Sequence, residues 1–448
     1  MKLASVVVLG TSLAFGIAAG CSGDDETAGP SSSSSSSSTG GSTTGSGGAG
    51  GTGAGEAGGM GGAGGVAMPF TSQGSSSYEA QTSIAADDQG GMVAAWIAFF
   101  DDDTTAIGYA VTRDGGTSWT APRYVAAPDG RRSSNPTVAV NGAGQFALSW
   151  IGFRLGGTVP DEHVYLAFLE GADDAFVTPL VASDDGTADT LDFDKPSLAV
   201  DAVGDFLLTW ADFTATPALT FARTSDGSSF DRHSFAGDMT FGNLASLCLD
   251  RSLGPNAPLY VVHLAIGATL VVHRSIDGGV TWTPHTVPAS DVLFQDPTCA
   301  AVGSDLWIAY AVGTGFVPGS DTPADRIEVV HSTDGGDTML TPVEVSDVSG
   351  DVYLYPRLVQ SYDGKLATAY YQGRVGEPVS LVVSTSQNGT TWTTSPIAPA
   401  GTFTLDTTLA NWLGAYFGVA VGQDRLAATF TDNSGVKDRI SFATFVTP

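Results

Sequence analysis

The chain has 448 residues, 58 of them glycine, with 47 acidic against 18 basic side chains and a net charge of −29. That imbalance excludes a nucleic-acid binder, because phosphate contacts need clustered lysine and arginine. Three cysteines exclude a disulfide-built or zinc-ribbon fold, and a hydrophobic content of 42% excludes wholesale disorder.

Lys2 followed by an apolar run from Leu3 to Ala19 has the layout of an export signal over residues 1–20. The run ends Ala18-Ala19-Gly20-Cys21, which resembles the lipobox of bacterial lipoproteins. The resemblance implies lipidation of Cys21; an ordinary cleaved signal with a chance cysteine is the alternative reading. Ser22 resembles the residue that follows the cysteine in lipoproteins sent to an outer membrane, so the bacterial envelope, outer membrane or cell surface is the expected location. Residues 21–65 form a Ser/Gly-rich tether with a serine run from Ser31 to Ser38. Such a coil has an r.m.s. reach of about 35–40 Å. No other apolar stretch approaches the ~20 residues of a transmembrane helix, so a lipid on Cys21 is the expected membrane attachment.

Residues 66–448 read as a repeat. Asn135-Pro136-Thr137-Val138-Ala139-Val140 leads to Phe146-Ala147-Leu148-Ser149-Trp150, and Lys195-Pro196-Ser197-Leu198-Ala199-Val200 leads to Phe206-Leu207-Leu208-Thr209-Trp210. The closing aromatic position recurs as Trp96, Trp150, Trp210, His263, Tyr310, Tyr370 and Phe430, which makes seven units. A second signature of the form S/T-x-D-G-G-x-T/S-W follows most of them. Residues 112–119 and 275–282 match fully, 332–339 lose the Trp, and 224–230 and 386–392 are one residue shorter. Asp-Gly and Asn-Gly are tight-turn signals in which glycine takes φ > 0 and the Asp or Asn side chain caps backbone N–H groups. Asp114, Asp226, Asp277, Asp334 and Asn388 are therefore expected as turn residues and not as catalysts.

This signature resembles the Asp-box, or bacterial neuraminidase repeat, of the sialidase superfamily, over essentially the whole exported domain. Short strands at even spacing with blade-like repeats predict an all-β, seven-bladed β-propeller of four-stranded antiparallel blades. The seventh unit supplies three strands before the chain ends, so Val66 to Ser72 is expected to add its outer strand and close the last blade. Cys248 and Cys299 fall on neighbouring inner strands, one position out of register. They either meet in a disulfide, as an oxidising compartment permits, or point apart as two small buried residues.

The loops leading into the inner strands and those after the second strands share one face, here the front; the Asp-box turns share the back. The ligand-binding candidates on and near the front are Tyr355, Arg357, Arg131, Arg132, Asp192, Asp194 and Trp412. Arg357 breaks the repeat, standing where other units carry Thr137, Ser197, Ser246 and Thr298; it is either an anion clamp with Tyr355 or half of a local ion pair. The superfamily resemblance implies, for an active sialidase, three arginines on a substrate carboxylate, a Tyr/Glu nucleophile pair and an Asp acid/base. The chain departs from this: the Arg-Ile-Pro motif is absent, there are seven units where sialidases have six, and the arginines show no front-face enrichment. No catalytic residue is assigned. The runs Asp101-Asp102-Asp103 and Asp192-Phe193-Asp194 are read as a solvated acidic face or as calcium ligands. No other cofactor or metal is indicated, there being no zinc spacing and no glycine-rich loop opening a helix. The expectation is a monomeric, lipid-anchored scaffold that binds a glycan or an envelope or extracellular protein. A sialidase-like glycosidase and an envelope assembly factor are the alternatives.

Overall fold

The computed structural model describes residues 70–448 apart from short segments, the longest being 155–160, 184–191, 237–244, 314–323, 398–402 and 404–412. Seven four-stranded antiparallel sheets are arranged as blades of a propeller. Blades 1 to 6 span 78–125, 132–181, 193–236, 246–286, 298–344 and 352–396, each with its strands in chain order. Blade 7 takes three strands from 418–446 and its fourth from Phe70–Thr71. Phe70 pairs with Phe442 and Thr71 with Ser441, so the N-terminal segment closes the ring as expected.

The sequence pattern follows the radius of each blade. Second strands such as Met92–Phe99 (MVAAWIAF) are apolar on both faces because blades cover them on both sides. Outer strands such as Thr283–Thr286 are mostly exposed and polar. The repeated aromatics Trp96, Trp150, Trp210, Tyr310 and Tyr370 are no more than 1% exposed and fill the layers between blades. His263 takes the same position in blade 4 and stacks on His273, with their Nε2 atoms 3.0 Å apart. Burial pushes His273 down to about 3, so its ring packs in the neutral form.

The back-face turns work as the signature requires. In blade 4 the Asp277 carboxylate accepts Thr281 N–H at 2.9 Å, Thr281 Oγ1–H at 2.6 Å and Ser275 Oγ–H at 2.8 Å. Ser275 Oγ in turn accepts Gly279 N–H at 2.9 Å. Asp114 and Asp334 repeat this pattern, while Asp226 and Asn388 cap the shorter turns. Hydrogen bonds to the charged form hold Asp114, Asp277 and Asp334 down at about 2. Gly279 has φ +101°, and a Cβ there would lie 2.2 Å from the Phe221 ring of the preceding blade. Glycine thus serves both the turn and the approach of the neighbouring blade.

Links between blades include a covalent one and one at the closure of the ring. Cys248 and Cys299 are joined by a disulfide across the inner strands of blades 4 and 5, with Cα atoms 5.8 Å apart. At the closure, the buried Glu79 carboxylate accepts from Ser72 and, at 2.7 Å, from Ser76. Arg439 of blade 7 donates to Ser76 O at 3.1 Å.

Candidate functional site

The site is built on the inner strands, where they approach the axis. In blades 1, 2, 3 and 6 the strand bulges near its front end, at Ala80/Thr82, Ser134/Thr137, Asp194/Ser197 and Leu354/Arg357. Each bulge holds a non-glycine residue at positive φ: Gln81 (55°), Asn135 (54°), Lys195 (41°) and Tyr355 (55°). Left-handed backbone at such residues costs on the order of 1–3 kcal/mol and persists only where the surroundings impose it. Bulges re-aim side chains, and four copies of one strained device mark a built feature. In blades 5 and 7 the equivalent positions are Asp296 and Tyr416.

These residues form a polar girdle across the channel. Gln81 Nε2–H donates to Asn135 Oδ1 at 2.7 Å, and Asn135 Nδ2–H donates to Asp194 Oδ1 at 2.9 Å. The neighbouring Lys195 crosses to blade 5 and donates to Asp296 Oδ1 and Oδ2 at 3.1 and 3.2 Å. Asp296 Oδ2 lies 3.8 Å from Arg357 Nη2, an ion-pair distance too long for a hydrogen bond. The Arg357 guanidinium sits 5.1 Å over the Tyr416 ring, and Tyr416 O–H donates to Pro136 O at 3.0 Å. Tyr355 packs edge-on to Tyr371, and its N–H donates to Gln295 Oε1 at 2.7 Å.

Arg357 is the outstanding member. Its side chain is 8% exposed. Its Nε and Nη2 make no hydrogen bond among the described residues. Burial pushes its pKa down from the usual guanidinium value, and the Asp296 charge opposes that. The strand register places it opposite Ala369, as Thr137 is opposite Ser149 and Ser197 opposite Thr209, so it replaces a small hydroxyl residue of the repeat. Elsewhere that hydroxyl latches blades together: Thr298 Oγ1 accepts Leu358 N–H at 2.9 Å.

Behind the girdle lies an axial cavity of about 520 Å³. Arg357 and Tyr416 stand at its girdle end, and Arg251, Ser252, Ser361 and Gly364 at the other. Those last residues belong to turns joining first to second strands. The turns of this set share the back face with the capped aspartate turns, as Gly115 N–H to Gly90 O at 2.9 Å and Gly335 N–H to Ser304 O at 2.7 Å show.

Of the residues singled out by sequence, Arg357, Tyr355 and Asp194 come together at the girdle. Arg131 does not: with Arg154 and His163 it surrounds Asp161 in blade 2, and it donates to both Asp161 oxygens at 2.8 and 3.0 Å. Arg132 begins the inner strand of blade 2 and is partly buried. Asp192 neighbours Glu162, whose Oε2 accepts Phe193 N–H at 2.8 Å. Burial, with the charges of Asp194 and Asp192, pushes Glu162 up to about 8, and burial raises Asp194 to about 6. Trp412, Cys21 and residues 66–69 lie outside the described residues. Among the described residues no group of three or more His, Cys, Asp or Glu is arranged to hold a metal ion.

Gln81, Asn135, Lys195 and Tyr416 of the girdle were not singled out from the sequence. A signal was present: Asn135-Pro136, Lys195-Pro196, Asp296-Pro297 and Tyr355-Pro356 repeat an x-Pro pair at one register, and x is the girdle residue each time.

No protein-family model matches the sequence, and no curated protein matches it. Solved structures of similar fold include a protein of unknown function from Dyadobacter fermentans, with TM-score 0.50, 12% identity, and coverage of 84% of this chain and 97% of that one. A Hadza microbial sialidase, Hz136, gives TM-score 0.49 and 16% identity over 67% of this chain and 64% of the other. A Trypanosoma rangeli sialidase in complex with 2,3-difluorosialic acid gives 0.46 and 14% over 66% and 52%. This chain thus spans less than two thirds of the length of either sialidase. At these identities the likeness concerns the fold alone.

Proposed function

We propose that the chain is a non-hydrolytic binding propeller, tethered to the bacterial envelope through Cys21, that presents its front face to a glycan or a protein. The observation that carries this reading is the disposition of the arginines. A three-arginine carboxylate site needs three guanidiniums converging on one point. Here Arg131 and Arg154 are committed to Asp161, Arg326 to Glu328, and Arg439 to the closure at Glu79. Arg357 alone of these joins the girdle. The phenol beneath it, Tyr416, is pushed upward by burial and spends its hydroxyl on Pro136 O. A tyrosine nucleophile needs the opposite environment, with a base to take its proton. The acidic balance, 43 acids to 17 bases in residues 68–448, also disfavours an anionic polymer as ligand.

One observation favours the hydrolase alternative. Glu162 keeps its proton to about 8, the property a glycosidase acid requires. A fluorogenic sialoside assay separates the two readings. The binding propeller releases no fluorophore above buffer; saturable release, lost in Glu162→Gln, establishes the hydrolase.

A further inference from the structure

We infer that the back face of blades 3 to 5 rests on a lipid surface of net-neutral headgroups and dips the apolar tips of its turns into it. The inference rests on the reading of Cys21 as a lipid-bearing tether. It gives that tether an orientation, with the back face toward the membrane and the front face outward.

Exposed apolar side chains gather on the back-face turns of three consecutive blades. Val203, Leu253 and Val302 stand at the turns between the first and second strands of blades 3, 4 and 5. Ile276 and Val280 flank Asp277 in the capped turn of blade 4, and Leu340 follows the Asp334 turn of blade 5. These six are 37–66% exposed. The other exposed large hydrophobics among the described residues lie elsewhere: Val177 and Val181 on the outer strand of blade 2, and Val375 on a front loop of blade 6. In blades 1 and 2 the first-to-second-strand turns, residues 87–90 and 141–144, carry only Asp, Gln, Asn, Gly and Ala. The turns of blades 3 to 5 are also tied together. Gly303 N–H of blade 5 donates to Asp250 Oδ2 of blade 4 at 2.6 Å. Arg274 of blade 4 donates to Asp337 of blade 5 at 3.3 Å. Arg223 of blade 3 pairs with Asp201 in its own blade's turn, and a Cβ on Gly278 of blade 4 would lie 3.2 Å from its Nη1. The tips thus belong to one linked surface, and an apolar patch of that kind marks an interaction site where single exposed side chains would not.

The occupant follows from where the chain joins the ring, from the shape of the turns and from charge. Phe70–Thr71 is antiparallel to Arg439–Val446, which starts from a front loop, so it runs from back to front and Phe70 is its back-side end. The preceding 69 residues therefore join the ring at the back side of blade 7. Blades 3 and 4 lie across the ring from blade 7, so tether and tips hold the back face to one surface at two separated places. Each apolar side chain stands on a protruding turn among polar neighbours, and a fluid surface receives such tips without a matching pocket. Asp277 and Asp334 between the tips, hydrogen-bonded to Thr281 and Thr338, stay ionised down to about 2. Fixed acids there repel an anionic bilayer, and equally the same acids on a second copy of this chain. Net-neutral headgroups impose neither repulsion.

The test places a nitrobenzoxadiazole dye on Ile276→Cys, on Val280→Cys or, as a front-face control, on Val375→Cys in the full chain. Each is bound to vesicles of phosphatidylcholine and phosphatidylethanolamine, with the fold checked by circular dichroism and Tm. Lipids brominated on their acyl chains are expected to quench the dye at 276 and 280 and to leave the dye at 375 unquenched. Replacing part of the lipid by phosphatidylglycerol is expected to reduce that quenching. The proposal is overturned if neither 276 nor 280 is quenched in vesicle-bound protein, if 375 is quenched as strongly, or if phosphatidylglycerol increases the effect. Self-quenching at 276 that unlabelled chain dilutes away would reveal back-to-back copies and overturn it as well. Val280→Cys decides where Ile276→Cys fails to fold. The mass of the Cys21 peptide reports the tether separately. Unlipidated chain that floats with vesicles and is quenched at 276 would remove the tether and leave the contact; lipidated chain left unquenched there would remove only the contact.

Discussion

Burial and the acids around it keep a proton on Glu162 to about 8, while the turn aspartates Asp114, Asp277 and Asp334 stay ionised to about 2. The two sets therefore act on stability in opposite senses. A carboxyl whose folded pKa is raised contributes stability that is full below its unfolded value, near 4.5, and is lost as pH rises toward about 8. Asp194 adds to this between 3.8 and about 6. The depressed aspartates contribute above 3.8 and lose that contribution as pH falls to about 2. Melting temperature is thus expected to peak on the acid side of neutrality, at roughly pH 4–5. Glu162→Gln is expected to flatten the fall between pH 5 and 8, where each unit of pKa shift corresponds to about 1.4 kcal/mol before solvent screening. Parallel melting curves for the variant and the native chain over that range would contradict the assignment.

Among the elements, the inner strands carry most of what is distinctive. The turn aspartates were legible in the sequence because Asp-Gly and Asn-Gly specify local geometry without reference to anything distant. The position of Arg357 was legible because the repeat supplies its neighbours' identities. The girdle was not, since a bulge at positive φ redirects Lys195 across the axis to Asp296, and no strand periodicity encodes that turn. The proton on Glu162 was equally hidden, because it depends on burial in the folded ring and then on the charges of Asp194 and Asp192. For the cysteines, two directions were open on alternation alone, and the inter-blade geometry selects the one in which Cys248 and Cys299 meet. At a sequence separation of 51, the link is expected to contribute about 2–4 kcal/mol. Thiol titration of the denatured, unreduced chain should find neither cysteine reactive, and reductant should lower Tm. Two reactive thiols beyond Cys21 would show the link to be absent.

For the whole molecule, closure is the stability question. A propeller whose last blade lacked its outer strand would expose two free sheet edges. Phe70–Thr71 pairs with the last strand of the chain, and just beyond it Ser72 satisfies the buried Glu79 carboxylate. Deletion of residues 66–72 removes both the pairing and that partner. Leaving a buried polar group short of a hydrogen-bond partner costs roughly 1–3 kcal/mol, and the lost strand pairing adds to it, so Tm is expected to fall markedly; an unchanged melting curve would refute this closure. The opening composition also resolves at this scale. The glycine excess is partly tether and partly turns such as Gly116 and Gly279, whereas the acidity belongs to the folded surface, since residues 1–67 hold only four acids and one base.

The proposal that this propeller binds without cleaving is checked by incubating the full chain with a fluorogenic sialoside across pH 4–8 and following fluorophore release. With Arg131 and Arg154 committed to Asp161, Arg326 to Glu328 and Arg439 to Glu79, the protein is expected to release none above buffer at any pH. Saturable release that disappears in Glu162→Gln would contradict the claim.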